Sequence, residues 1–219
     1  MINSEVYKQI IEELKLTNTT LVAVSKTKPA ADIQALYNLG QLDFGENYVQ
    51  ELVDKETVLP KDVRWHFIGH LQSNKVKYVA PFVHLIHGVD SYRLLQEINK
   101  QAKKINRTID CLIQIHIATE ETKFGFDGAE LETLFSSDLA SLTNIRIKGM
   151  MGMASFSDDS TKVRGEFIRL KSFFDKYKAL LISNCQLTVI SMGMSGDYRL
   201  ALEEGSTMVR IGSLLFGNR

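Results

Sequence analysis

The chain has 219 residues, of which 44% are hydrophobic and 24% charged, an ordinary composition with enough apolar side chain for a sizeable core. Lysine plus arginine and aspartate plus glutamate number 26 each, and a net charge of zero argues against a protein that coats a polyanion. No run approaches the roughly 18 unbroken apolar residues of a membrane span. The two cysteines, Cys111 and Cys185, lie far apart in apolar segments, which implies buried thiols rather than a disulfide. The opening stretch MINSEVYKQIIEELKL has the spacing of an amphipathic helix and lacks the basic, apolar, small-residue order of a signal peptide. A cytoplasmic globular protein without nucleic-acid or membrane partners is the expectation.

After that helix, short apolar runs alternate with longer helical ones. Residues 20–25 (TLVAVS) have the β-branched character of a buried strand. Pro29 suits a first helical turn, and Ile33, Leu36, Tyr37 and Leu39 recur at helical spacing before Gly40 stops them. Residues 42–45 predict a brief second strand, with a helix through Val49, Leu52 and Val53. Residues 64–69 and 83–87 predict the third and fourth strands, and Tyr92, Leu95 and Ile98 mark the helix that follows. The fifth strand is expected over 109–117, the sixth over 145–151, the seventh over 187–190 and the eighth over 207–211. The clearest late helix is expected over 167–181. Eight strands alternating with helices predict a (β/α)8 TIM-type barrel in one domain spanning 1–219, with the first helix as an addition. An open doubly wound sheet is the alternative.

In such a barrel, ligands sit at the carboxyl ends of the strands. The first strand leads into Ser25, Lys26, Thr27 and Lys28. A lysine at the rim of a low-dielectric barrel, beside a cation such as Lys28 or Lys123, is biased toward the neutral amine that attacks an aldehyde. The alternative is a strand-end lysine whose ammonium reaches water. The seventh strand leads into SMGMSGD before a helix, and the eighth into RIGSLLFG. Such turns expose backbone N–H groups and suit phosphate, and the loops after strands seven and eight form the usual phosphate site of these barrels.

The segments LVAVSKTKP, FGENYVQE, WHFIGHLQSNK, SMGMSGDY and VRIGSLLFG together resemble the pyridoxal phosphate homeostasis protein family, single-domain relatives of alanine racemase, from about Leu21 to Gly217. The resemblance implies pyridoxal 5′-phosphate (PLP) as cofactor, with Lys26 as the Schiff-base lysine. Ser195 with Gly196, and Gly212 with Ser213, would hold the phosphate, and Arg210 would face the pyridine nitrogen. Asn47 and His70 match family motifs near the cofactor, and Lys123 matches a second lysine after the fifth strand.

His66 and His70 stand four apart but straddle a strand and a glycine without further ligands, so no metal is expected. His84 and His87 are expected to bond locally, and Lys100, Lys103, Lys104 and Arg107 to form a solvated helix face. Met150, Met151, Met153, Met192 and Met194 are expected to fill the core and pocket wall, with Met192 counted among the cofactor-binding residues. Two functions compete. A carrier would buffer PLP and hand it to apo enzymes; a racemase-like enzyme would need a second acid/base on the opposite cofactor face. Two-domain racemases take that group from a tyrosine of a partner subunit's C-terminal β domain. Here the sequence stops at Arg219, and Tyr48, Tyr78, Tyr92, Tyr177 and Tyr198 mostly fall on helices. The expectation is a monomeric carrier that is not an enzyme.

Overall fold

The computed structural model describes residues 2–118 and 124–217. Along the chain run α1 (Ser4–Lys15), β1 (Thr20–Val24), α2 (Ala30–Tyr37), β2 (Asp43–Glu46), α3 (Val49–Val58), β3 (Arg64–Phe67), α4 (Val76–Val79), β4 (Leu85–Val89) and α5 (Tyr92–Lys104). Then come β5 (Ile109–Ile115), α6 (Gly128–Ser136), β6 (Ile145–Gly152), α7 (Ser160–Lys178), β7 (Cys185–Met194), α8 (Tyr198–Glu203), β8 (Met208–Ile211) and α9 (Ser213–Phe216). The strands close into a barrel in chain order, as the first expectation has it and the open sheet does not. Parallel pairing of β1 with β8 completes the ring, setting Leu21 opposite Val209 and Val22 opposite Arg210.

Closure makes both faces of every strand interior, so the two-residue period decides which side chains meet the helices and which fill the barrel. Leu21 and Ala23 of β1, Phe44 of β2 and Trp65 and Phe67 of β3 point outward into the apolar layer shared with the helices. Their strand neighbours point inward, where Val22, Leu85, Leu112, Met151 and Met208 form a separate cluster. Cys111 and Cys185 are buried free thiols. Burial pushes the Cys111 thiol far up and the Cys185 thiol up to about 11, so neither is a ready nucleophile.

Helix α1 buries Tyr7, Ile10 and Leu14 and is tied to α8 and α9. The Asn3 backbone N–H donates to the Leu215 carbonyl at 2.8 Å, and Glu13 accepts from Tyr198 Oη at 2.6 Å and Arg199 Nε at 2.8 Å.

Several boundaries depart from the sequence expectation, β7 running over Cys185–Met194 rather than 187–190, and two of the departures have identifiable reasons. Strand β4 starts at Leu85 because Val83 closes the preceding turn, its N–H donating to the Val79 carbonyl at 2.9 Å. Helix α7 begins well before Phe167 because the Asp159 side chain accepts from the N–H groups of Thr161 and Lys162. That cap satisfies donors that a hydrophobic period does not report.

Gly149 has a steric reason. The register of β6 against β7 shifts between Ile147 and Gly149, and a Cβ at 149 would lie 1.8 Å from the Val189 carbonyl oxygen. Gly165, inside α7, has nothing within 4 Å of an added Cβ. We therefore expect Gly149→Ala to lower unfolding free energy by about 1–3 kcal/mol or more. Gly165→Ala should raise it by up to about 1 kcal/mol through helix propensity. Urea denaturation of both variants checks the pair, and a benign Gly149→Ala would contradict the packing described.

Candidate functional site

At the carboxyl ends of the strands lies a cavity of about 480 Å³, within the range that suits a small ligand. Strand parity sets its floor and wall. Val24 and, beyond the end of β1, Lys26 line it, whereas Ser25 between them points outward to α3. Asn47 and Ile68 line it from beyond β2 and β3, and Met153, just past β6, and Met194, at the end of β7, supply apolar wall.

The two late loops complete the cavity. Ser195 and Gly196 come from the β7–α8 turn, and Gly212 and Ser213 from the junction of β8 with α9. The loops are joined directly, the Gly212 N–H donating to Ser195 Oγ at 3.2 Å. Asp197 closes the first turn by accepting from the Met194 N–H at 2.5 Å. No Cβ could be added at Gly212 without crowding Val24 at 3.2–3.3 Å, so bare backbone faces the cavity there.

Behind Lys26, on the outer side of the barrel, is a buried ionic group. Lys55 Nζ of α3 donates to the Ser25 carbonyl at 2.8 Å, to Glu46 Oε1 at 2.7 Å and to Glu51 Oε1 at 2.6 Å. Ser25 Oγ donates to Glu46 Oε1 at 2.6 Å, and the Thr27 N–H donates to Glu51 Oε1 at 2.5 Å. Thr27 has φ of 64°, a left-handed conformation that a β-branched residue adopts only under constraint. The residues on either side of Lys26 are thus held by α3. Burial pushes the Glu46 carboxyl up, and Lys55 opposes that shift.

Inside the barrel runs a second polar system. Asp43 Oδ1 lies 2.9 Å from His66 Nε2, His66 Nδ1 lies 2.9 Å from His87 Nε2, and His87 Nδ1 lies 3.2 Å from Ser191 Oγ. Arg210 Nη1 donates to Ser191 Oγ at 2.6 Å and to the Ser191 carbonyl at 2.8 Å, while Nη2 donates to the Gly152 carbonyl at 3.0 Å. Burial brings Arg210 down to about 10, which still leaves it charged at neutral pH. Burial, His66, Arg210 and His84 together hold His87 well below its ordinary range, so it is neutral. Burial alone would raise Asp43, but His66 and Arg64 hold its carboxyl below the usual range.

Of the residues expected to bind the cofactor, Lys26, Asn47, Ser195, Gly196, Arg210, Gly212 and Ser213 share the one cavity. Two others do not line it. Met192 alternates with the inward Ser191 and so faces outward, fully buried in the layer against the helices; Met194 takes the wall position instead. His70 stands half-exposed in a neighbouring cleft with Tyr48 and Tyr78, where it pairs with Asp90 at 2.9 Å and stacks on Phe124 at 4.4 Å. Lys28, expected as the cationic neighbour, donates to the Gly217 carbonyl at 3.2 Å, and the cation on the cavity is Arg210. Lys123 lies outside the described residues. Sequence reasoning missed both polar systems, although the inward parity of His66 and His87 on their strands was a signal for the second. Asp43, His66 and His84 bring three ligand-type atoms within 4.8 Å, but Arg64 already engages both Asp43 oxygens.

A match to the family model described as alanine racemase, N-terminal domain, covers residues 3–219. The pyridoxal phosphate homeostasis protein of Aquifex aeolicus is 42% identical over 200 residues, which are 91% of this chain and 86% of that one. PipY of Synechococcus elongatus, solved with PLP bound, is 34% identical with a TM-score of 0.88, covering 97% of this chain and 99% of its own. Alanine racemase of Bartonella henselae, at 19% identity and a TM-score of 0.70 over 94% of this chain and 56% of its own, shares the fold. The fold is that of an alanine-racemase-type barrel. Within that class, the chain belongs to the pyridoxal phosphate homeostasis protein family.

Two measurements test the buried polar systems. Lys55→Met would leave the Glu46 and Glu51 carboxylates without their cation, and we expect a loss of about 3–5 kcal/mol in urea denaturation. For His87 the sign is definite. The unfolded chain binds a proton near pH 6.5 that the folded chain refuses, so stability falls as pH drops below that value, by up to about 1.4 kcal/mol per pH unit per proton. Comparison of unfolding free energies at pH 7.5 and 5.5 should show a smaller fall in His87→Asn than in the wild type.

Proposed function

We propose that this protein binds PLP at Lys26 and holds it for delivery to other proteins, without turning over a substrate. The observation that carries the reading is the convergence of a strand-end lysine, two linked serine–glycine loops and a buried arginine on one cavity. The donor set fits the cofactor: an amine for its aldehyde, hydroxyls and N–H groups for its phosphate, and a fixed cation for its ring nitrogen. When bound, PLP supplies an aldehyde that condenses with a lysine amine. Ser195, Gly196, Gly212 and Ser213 would anchor the phosphate. Lys26 would be presented by the α3 clamp, which fixes Ser25 and Thr27 through Lys55 and Glu51. Arg210 stays charged and so would donate to the ring nitrogen without giving up a proton, which would weaken the ring as an electron sink.

The absence of turnover rests on the lining. Among the described residues, no histidine, the commonest general acid or base, and no tyrosine lines the cavity; its carboxylates are Asp158 and Asp197, and Asp197 already accepts from the Met194 N–H. A positioned acid or base contributes typically about 10²–10⁴-fold, so its lack should be visible in kinetics. The cytoplasm is the compartment where such a carrier would meet apo enzymes. Among the described residues, no helix is long and apolar enough to cross a membrane. A monomer would leave the cavity mouth open for release.

Borohydride reduction of the PLP-loaded protein, followed by peptide mass spectrometry, should place the pyridoxyl group on Lys26. Mixing loaded protein with an apo PLP enzyme should restore that enzyme's activity, while α-proton exchange on amino acids stays at background. A label on Lys28 or Lys123 would overturn the lysine assignment. Multiple-turnover exchange without delivery would make the protein a small racemase-like enzyme.

A further inference from the structure

Arg210 is an obligate donor, because a guanidinium has no lone pair to offer. The Ser191 hydroxyl accepts from it, is wholly buried, and therefore needs an acceptor for its own proton. The other polar side-chain atom at that oxygen is His87 Nδ1. With Nδ1 accepting, the proton of the His87 ring sits on Nε2, and it is donated to His66 Nδ1. That leaves the His66 proton on Nε2, where it is donated to the Asp43 carboxylate. Each assignment forces the next, and all four hydrogen bonds point the same way. Arg64, which opens β3 as Asp43 opens β2, also donates to that carboxylate and fixes it at the amino-terminal mouth of the barrel.

We propose that His66 and His87 are positioning residues: with Ser191 they form a one-way hydrogen-bond relay through the barrel that ties the Arg210 guanidinium to the Asp43 carboxylate. The relay runs inside the strands, from the cavity floor to the amino-terminal mouth of the barrel. It orients one edge of Arg210, while the Gly152 carbonyl orients the other. Hydrogen bonds in series polarise one another in a low-dielectric interior, so the Asp43 charge is felt at the far end. Asp43 and His66 are thereby committed to each other rather than to a metal. The effect on PLP rests on the proposed function; the relay itself does not.

The test has two independent arms. In the PLP-free full chain, nitrogen-15 NMR of the histidines should show His66 and His87 each protonated on Nε2 and bare on Nδ1. Protonation at Nδ1 of either ring breaks the direction and overturns the proposal, whether or not PLP binds. In the PLP-loaded protein, His87→Phe should weaken PLP binding about three- to tenfold and displace the absorption maximum of the bound cofactor. His87→Asn retains an acceptor for the Ser191 proton and should stay within about twofold of the wild type. Ser191→Ala cuts the same link with little change of volume and decides the matter where the phenylalanine variant does not fold. Unchanged affinity and spectrum in Ser191→Ala and His87→Phe would overturn the relay. A wild-type chain that takes up no PLP would instead sink the cofactor reading, leaving the tautomers to judge the relay.

Discussion

The two-residue period of a strand, applied to a sheet with no free edge and no solvated face, governs almost everything else in this molecule. In an open sheet a polar side chain can find water on one side. Here Ser25, Asp43, Glu46, His66, His87, Ser191 and Arg210 are all buried on strands or at their ends, and each must find its partner within the protein. Parity sorts them. Ser25 and Glu46 point outward and meet Lys55 of α3; Asp43, His66, His87, Ser191 and Arg210 point inward and meet one another.

The two sets differ in kind. The outer group is ionic, compact and placed behind the lysine, where it holds a turn that a β-branched residue would otherwise resist. The inner group has charged ends and neutral links, which is how a buried carboxylate and a buried guanidinium can coexist without direct contact. Neither adds much net stability over an apolar equivalent, since desolvation offsets most of the attraction. What each supplies is a single geometry for a side chain on the cavity: Lys26 in one case, Arg210 in the other.

The barrel and most of its cavity were legible in the sequence because they follow from local signals. Apolar β-branched runs gave the strands, glycine–serine turns after the last two strands marked phosphate-type loops, and the family resemblance singled out Ser195, Gly196, Gly212 and Ser213 within them. What could not be read locally was direction. Met192 was placed at the cofactor by its neighbourhood in SMGMSGD, but one residue of parity sends it to the helix layer and brings Met194 to the wall. His70 stands outside the cavity for a related reason: it follows the strand by several residues, and its partner Asp90 comes from the next loop. Lys55 has only a partial local signal: Glu51 is its neighbour one turn away on α3, but the buried Glu46 of β2 is brought beside it by the fold.

The pairing of β1 with β8 has a further meaning for the life of the chain. During synthesis the first strand leaves the ribosome well before the strand that covers its open edge, because six other strands are made between them. Until then the nascent protein carries an unpaired parallel edge, an invitation to wrong partners. The cavity shares this schedule, because Lys26 belongs to the first strand's end and Arg210, Gly212 and Ser213 to the last. The cavity is therefore complete only once β8 and the turn after it have been made.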